Sequence, residues 1–208
     1  MHRLPKPTLS RLCQLHRVLK TLEQQDISRI SSFQLADRLG VGSHSIRKDI
    51  SHLDEKGSGG GGYDVKQLAA VIADKLGLAQ MRNMCIVGLG KLGRALLNLN
   101  YQPDTYNLVA GFDSNTNRVE TIRTHIPVYP AYNIPEIIPQ LNIEIAMLTV
   151  PTEAAQDMTD TLINAGIRGI LNFTQRIITI PDKPVFISNI DIMTELSILS
   201  SFITLKSQ

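Results

Sequence analysis

Met84-Cys-Ile-Val-Gly-Leu-Gly-Lys-Leu-Gly-Arg-Ala-Leu96 is the stretch on which the reading of the fold turns. Cys85-Ile86-Val87 is a short apolar run, it leads into Gly88-x-Gly90-x-x-Gly93, and helix formers follow. A strand, a glycine turn and a helix in that order are the context a dinucleotide fingerprint requires. Gly88 permits a tight turn, Gly90 lets the backbone approach a pyrophosphate with no Cβ in the way, and Gly93 lets the helix pack closely on the strand. The phosphates would then lie at the helix N-terminus, where unpaired N–H groups and the macrodipole favour negative charge. Gly88, Leu89, Gly90, Lys91, Leu92 and Gly93 are therefore the candidate phosphate-binding residues. Twenty residues after Gly93, the run Leu108-Val-Ala-Gly-Phe112 ends in Asp113, the expected place of the acid that accepts from a ribose hydroxyl. Arg118 follows closely and would partly offset repulsion of a 2′-phosphate. An ordinary glycine turn is the competing reading; a strand, a helix and an acid in register favour the dinucleotide.

Downstream of this turn the pattern alternates. Strands are predicted at 84–88, 107–113, 127–129, 143–150, 168–171 and 185–189, and helices at 91–99, 134–141, 152–165 and 191–204. Such alternation implies an α/β fold, a mostly parallel sheet covered by helices on both faces. Pro151 stops the run Ile143–Val150, and Thr152 is placed to cap the next helix. Ligands gather at the carboxyl ends of strands in open sheets, so Thr149, Val150, Pro151 and Asn172 are expected to border the nucleotide. For each of them a plain strand terminus is the alternative. The last segment, Asp191 to Leu205, carries Ile192, Leu196, Leu199, Phe202 and Ile203 on one predicted side. A helix this apolar must be buried, in its own domain or in a partner subunit.

Upstream, the charge changes. The chain has 208 residues and a net charge of +2. Residues 1–62 hold 10 of its 21 Lys and Arg but 6 of its 19 Asp and Glu, an excess of +4 that leaves −2 for the rest. Leu12, Leu15, Leu19 and Leu22 form the apolar face of a first helix beginning near Thr8. Ser31-x-x-Gln34 is a capping-box pattern ahead of a short helix, with Gly40 at its end. After the turn Val41-Gly42, Ser43 would cap a third helix reaching about Leu53. Two short helices across a glycine turn make a helix-turn-helix pattern. Ile46, Ile50 and Leu53 form its inner stripe; His44, Lys48 and Ser51 point away, with Arg47 on the flank. A short basic helix of this kind suits a major groove, against the plain reading of a solvated face. Asp54 to Gly62 has six glycines or serines in nine residues, which fits either a wing or a flexible linker. Tyr63-Asp64 is expected to open a further helix ended by Gly77, and a domain boundary falls near 78–83.

The composition, 43% hydrophobic and 19% charged, is that of a globular protein able to build a core without disulfides. No window approaches a membrane span, and the basic N-terminus lacks the apolar run of a signal peptide. Cys13 and Cys85 form no CxxC pair and are expected to be buried thiols in a reducing cytoplasm rather than a bridge or a metal site.

Taken together, these residues resemble the redox-sensing transcriptional repressor family Rex over almost the full length. The segments that carry the resemblance are Ile30-Ser-Ser, Leu35-Ala36, Leu39-Gly40-Val41, Arg47-Lys48-Asp49, Gly60-x-Gly62-Tyr63, the glycine turn, Phe112-Asp113, Glu144-Ile-Ala-x-Leu-Thr-Val-Pro151, Ala165-Gly-Ile-x-Gly-Ile-Leu-Asn-Phe173 and Asp191. The resemblance implies a winged helix-turn-helix DNA-binding domain over 1–80, a Rossmann NAD(H)-binding domain over 81–190 and a swapped dimerisation helix over 191–208. It implies a homodimer that represses transcription, senses the NADH/NAD+ ratio and leaves its double-stranded operator when NADH binds. DNA would be met by Ser43, His44, Arg47, Lys48, Ser51 and Lys56, and Arg17 would contact Asp191 of the partner. Two positions depart from the family: Gly59 stands where the wing carries a basic residue, and Leu99 replaces a tyrosine placed near the nicotinamide, with Tyr101 close by. Two other readings compete. An NAD-dependent dehydrogenase would need an acid/base beside the nicotinamide, and the second half offers one histidine, His125. A dinucleotide-binding subunit that does not bind DNA is favoured by the depleted wing alone.

Overall fold

Four leucines on one face of a single helix build the first core. The computed structural model describes residues 4–53, 62–99, 101, 105–180 and 184–206, and the chain divides into two units, Met1–Gln80 and Met81–Gln208. In the first unit, helix α1 (Lys6–Gln24) turns Leu12, Leu15, Leu19 and Leu22 inward, each fully buried. Pro5 and Pro7 sit at its start, where a missing N–H costs nothing, so the helix begins two residues before Thr8. Strand β1 (Arg29–Ile30) precedes helix α2 (Ser32–Leu39). The capping box forms as expected: Gln34 N–H donates to Ser31 Oγ at 3.2 Å and Ser31 N–H to Gln34 Oε1 at 2.9 Å. Gly40 ends α2 with φ +65°.

Helix α3 (Ser43–Ser51) follows. Its cap is Gly42, without a side-chain bond, so Ser43 is the first helical residue rather than the cap. Residues 54–61, with Lys56 and Gly59, lie outside the described residues. Tyr63-Asp64, expected to open a helix, instead forms strand β2 (Tyr63–Asp64), antiparallel to β1. Asp64 then caps helix α4 (Val65–Leu76), its Oδ1 accepting from Gln67 N–H at 2.8 Å. A capping acid and a strand residue are compatible because an N-cap has extended dihedrals.

The second unit is a six-stranded, wholly parallel sheet: β3 (Arg82–Val87), β4 (Tyr106–Asp113), β5 (Val128–Pro130), β6 (Ile143–Leu148), β7 (Gly169–Asn172) and β8 (Phe186–Asn189). Their spatial order is β5-β4-β3-β6-β7-β8, the doubly wound order, which reverses between β3 and β6. Side chains alternate along β3. Cys85 and Val87 join the core under helices α7 (Ile134–Gln140) and α8 (Ala155–Asn164), and Met84 and Ile86 join the one under helix α5 (Lys91–Leu97). The short helix α6 (Thr116–Thr121) buries none of its residues. Thr152 begins a 3-10 turn rather than capping α8, which starts at Ala155.

Beyond α5, the same sheet face carries an apolar groove of about 460 Å³ lined by Met84, Tyr106, Ile145, Met147, Leu171 and Phe186, among others. Helix α9 (Ile192–Lys206) ends the described chain with every residue exposed. Its apolar side chains are not confined to one side, because Met193, Ile198 and Leu205 extend the expected stripe around the helix. Cys85 is fully buried, which pushes its thiol pKa upward, whereas Cys13 is exposed on α1. No helix of the described residues is long and apolar enough to cross a membrane.

Candidate functional site

The glycine turn lies where the strand order reverses. Gly88 has φ +93°, and a Cβ there would stand 2.8 Å from the Thr149 carbonyl carbon and the Val150 nitrogen. A Cβ on Gly93 would collide with the Gly88 carbonyl oxygen and lie 3.0 Å from Thr149 Oγ1. Around Gly90 nothing lies within 4 Å of an added Cβ. Two glycines are therefore demanded by the packing of strand, turn and helix, and the third faces open space. Thr149 locks this arrangement, its hydroxyl within hydrogen-bonding distance of Gly88 O at 2.6 Å and Val87 O at 3.1 Å. Gly90 caps α5, so the first N–H groups of α5, which have no partner within the helix, open onto the space beside it.

Asp113 is 3% exposed. Its Oδ2 accepts from Leu89 N–H at 2.7 Å and from Arg118 Nη1 at 3.3 Å, and its Oδ1 from Asn115 N–H at 2.7 Å. The acid thus clamps the glycine turn to the end of β4. A carboxylate accepts about four hydrogen bonds, so one lone pair, on Oδ1, stays open to a further donor. Arg118 is held against the acid by its place on α6, whose cap is Asn115. Leu89 is fully buried and acts through its backbone; Lys91 and Leu92 are exposed at the first turn of α5.

Val150 and Pro151 leave β6 beside the turn, half-buried and exposed. Asn172 differs from expectation. Its amide nitrogen donates to Arg176 O at 3.1 Å and Asn189 Oδ1 at 2.9 Å, and its oxygen accepts from Thr174 N–H at 2.9 Å and the Thr174 hydroxyl at 2.7 Å. With both donors and both lone pairs engaged, Asn172 fixes the turn after β7 and has nothing left for a cofactor. Tyr101 likewise commits its hydroxyl to Leu96 O at 2.7 Å.

In the first unit, α3 buries Ile46, Asp49 and Ile50 and exposes His44, Arg47, Lys48 and Ser51. Arg47 is exposed, and its Nη1 reaches Ser32 Oγ of α2 at 3.3 Å. The Ser51 hydroxyl donates to Lys48 O at 2.7 Å, and Ser43 is half-buried. Beneath this face, Arg11 of α1 holds Asp49 with two bonds, Nε to Oδ2 and Nη2 to Oδ1, the latter at 2.9 Å.

A family model described as putative DNA-binding protein N-terminus matches residues 3–51, and one described as CoA binding domain matches residues 79–176. The redox-sensing transcriptional repressor Rex of Ligilactobacillus salivarius is 39% identical over 97% of this chain and 94% of its own length. This chain belongs to the Rex family. The Rex of Streptococcus pyogenes (strain Manfredo) is 37% identical over 96% of this chain and 94% of its own. Among solved structures, a Rex-family repressor, RSP, is 29% identical. Its complex with NAD+ and operator DNA superposes with a TM-score of 0.90 over 100% of this chain and 95% of that one. The RSP complex with NADH gives 0.86 over 100% and 97%.

The Rex resemblance pairs Arg17 of the first unit with Asp191 of a partner's second unit, and each side chain is described within its own unit. Arg17 is exposed on α1 and its guanidinium has no ion pair among the described residues. Asp191 starts α9, accepting from Met193 N–H at 3.0 Å, Thr194 N–H at 3.2 Å and the Thr194 hydroxyl at 2.6 Å; the Thr194 hydroxyl, most of all, holds its carboxyl below the usual carboxylate range. The Arg11–Asp49 pair and the Asn115 cap went unread in the sequence. Arg11 and Asp49 are 38 residues apart, so no local signal marks their pair, whereas Asn115 caps a helix too short to show a periodic pattern.

Proposed function

We propose that this chain is a DNA-binding repressor that senses the NADH/NAD+ ratio, NADH releasing it from its operator. The observation that carries this reading is one chain holding both a dinucleotide cradle with open space at Gly90 and an outward basic helix, over nearly the full length of Rex relatives. Gly88, Leu89, Gly90, Lys91, Leu92 and Gly93 would hold the pyrophosphate, Asp113 and Arg118 the adenosine ribose, with Thr149, Val150 and Pro151 bordering the nucleotide. The cofactor would supply the redox signal through the state of its nicotinamide. His44, Arg47, Lys48 and Ser51 would face DNA, with Ser43 and Lys56 at its margins. A dehydrogenase fits less well. His125 is exposed just before β5, at the amino end of a parallel sheet whose ligand crevice is at the carboxyl end. The place of action is the cytoplasm, and no metal is required.

The partner is a second copy. α9 is apolar around most of its circumference, and the hydroxyls of Ser197, Ser201 and Thr204 lie where they can bond carbonyls four residues earlier on their own helix, so its polar arc needs little from water. Such a helix suits enclosure by another subunit. Arg17 of one copy and Asp191 of the other would hold only one of two arrangements, which is what lets a ligand bias the equilibrium.

The test is a binding titration of the purified chain on a duplex it selects from a randomised library. Saturating NADH should weaken binding about tenfold or more, within the usual range of allosteric coupling. Equal affinities with and without NADH would exclude the sensor. Two further results are expected. NADH should bind about tenfold or more tightly than NADPH, because a 2′-phosphate loses a charge-assisted contact worth about 1.5–3 kcal/mol; equal affinities by calorimetry would remove Asp113 from the site. Lys48→Ala should weaken all DNA alike and lower the salt slope by about one, whereas Arg47→Ala should cost about 1–3 kcal/mol and relax preference at one base pair. Unchanged binding in both would leave α3 without a role in DNA recognition.

A further inference from the structure

Asp49 is the one acidic residue on α3, it is 1% exposed, and it sits on the inner face between two base- or phosphate-facing residues and Ile50. α3 has nine residues, and Ile46 and Ile50 are the apolar side chains it buries. Two apolar contacts one turn apart hold a helix against a core, but dispersion and burial are non-directional and leave its roll and slide weakly fixed. The Arg11 fork meets both carboxylate oxygens at once, and a bidentate guanidinium–carboxylate pair is planar and directional. Net stability does not explain such a pair, since apolar substitutes of the same volume commonly serve as well or better.

We infer that Arg11 and Asp49 are positioning residues for DNA recognition: their bidentate pair fixes the roll of α3 on α1, and with it the direction in which His44, Arg47, Lys48 and Ser51 project. This rests on the DNA-binding reading of α3. The pair also ties α3 to a rigid 19-residue helix whose next turns carry Arg17, so a displacement of α1 is carried to the reading face without passing through the loop between α2 and α3. Base readout demands bidentate geometry, whereas phosphate contacts tolerate displacement. A loosened α3 therefore loses discrimination before it loses grip.

The experiment uses the full-length chain as Arg11→Lys and as Asp49→Asn, each compared with wild type on the library-selected duplex and on an unrelated duplex of equal length. Helix content, thermal midpoint and NADH affinity are measured alongside. Affinity for the selected duplex should fall about tenfold or more, toward non-specific binding, while affinity for the unrelated duplex and its salt slope hold within about twofold. A merely structural role would instead scale binding to both duplexes by the same folded fraction. Arg11→Asp combined with Asp49→Arg, which restores a fork in reverse, should recover part of the lost discrimination. Equal losses on both duplexes, or full discrimination retained in both single variants, would overturn the inference. If wild type itself fails to discriminate, the DNA-binding reading fails first.

Discussion

Gly93→Ala is expected to weaken NADH binding by a hundredfold or more while leaving DNA binding intact, which would make the variant a repressor that NADH no longer releases. The added Cβ collides with the Gly88 carbonyl, and Gly88 cannot retreat because it already lies against the Thr149–Val150 peptide. Either α5 tilts off the sheet or the turn shifts, and both move the N–H groups that would meet the pyrophosphate. Charge-assisted hydrogen bonds of this kind contribute about 1.5–3 kcal/mol each, and losing two corresponds to roughly two to four decades in Kd. Gly90→Ala provides the control that separates folding from ligand contact. Its φ of −69° suits alanine, and nothing lies within 4 Å of the new methyl, so the fold should be unchanged. A loss of NADH affinity in Gly90→Ala with an unaltered thermal midpoint therefore reports a ligand at that spot. Calorimetry on both variants decides; NADH affinity within about threefold of wild type in both would remove the cofactor from the glycine turn.

Phe202→Glu should dissociate the proposed dimer. Phe202 is 59% exposed in a single copy, with Leu196 at 52% and Ile203 at 70%. Burying a side chain of this size contributes about 1.5–3 kcal/mol, so the large apolar residues of α9 together supply on the order of 10 kcal/mol per helix before the cost of association. A carboxylate in their midst, unpaired and desolvated, costs several kcal/mol, and a symmetric dimer would carry two. The dimer dissociation constant should rise at least a hundredfold, about 3 kcal/mol, read by sedimentation across a concentration series. Operator affinity should fall with it, because two reading helices about 34 Å apart meet successive major grooves only when they are joined. An unchanged oligomeric state would mean that α9 is not the exchanged element. Asp191→Asn, which keeps the shape and the helix-capping oxygen, is the milder probe of the same end of α9. It should leave the dimer and NADH binding in place and reduce the effect of NADH on operator affinity.

The sequence and the structure agree where one local pattern specifies one outcome. Leu12, Leu15, Leu19 and Leu22 recur at helical spacing because a single face is buried, and all four are in the core. Ser31 and Gln34 form their capping box with no help from distant residues. The glycine turn is legible for the same reason, since each glycine answers a backbone requirement within a few residues of itself. α6 was missed because it buries nothing; its stability comes from the Asn115 cap and from Arg118 reaching back to Asp113. β1 and β2 were missed because two residues are too few to show alternation, and their pairing joins positions more than thirty apart.

The amino-acid order by itself determined the two-part architecture, the parallel sheet, the glycine turn and the outward basic helix, because periodicity, capping and glycine placement act over spans of a few residues. Only the tertiary structure decided how the polar side chains are spent. Asn172 looks available in the sequence, and its amide is spent on the turn after β7. Asp113 turns out to brace the glycine turn through Leu89 N–H, and Asp49 is held by an arginine 38 residues away. A hydrogen bond depends on distance and direction between groups that the chain brings together only on folding, and no local pattern records where its partner will be.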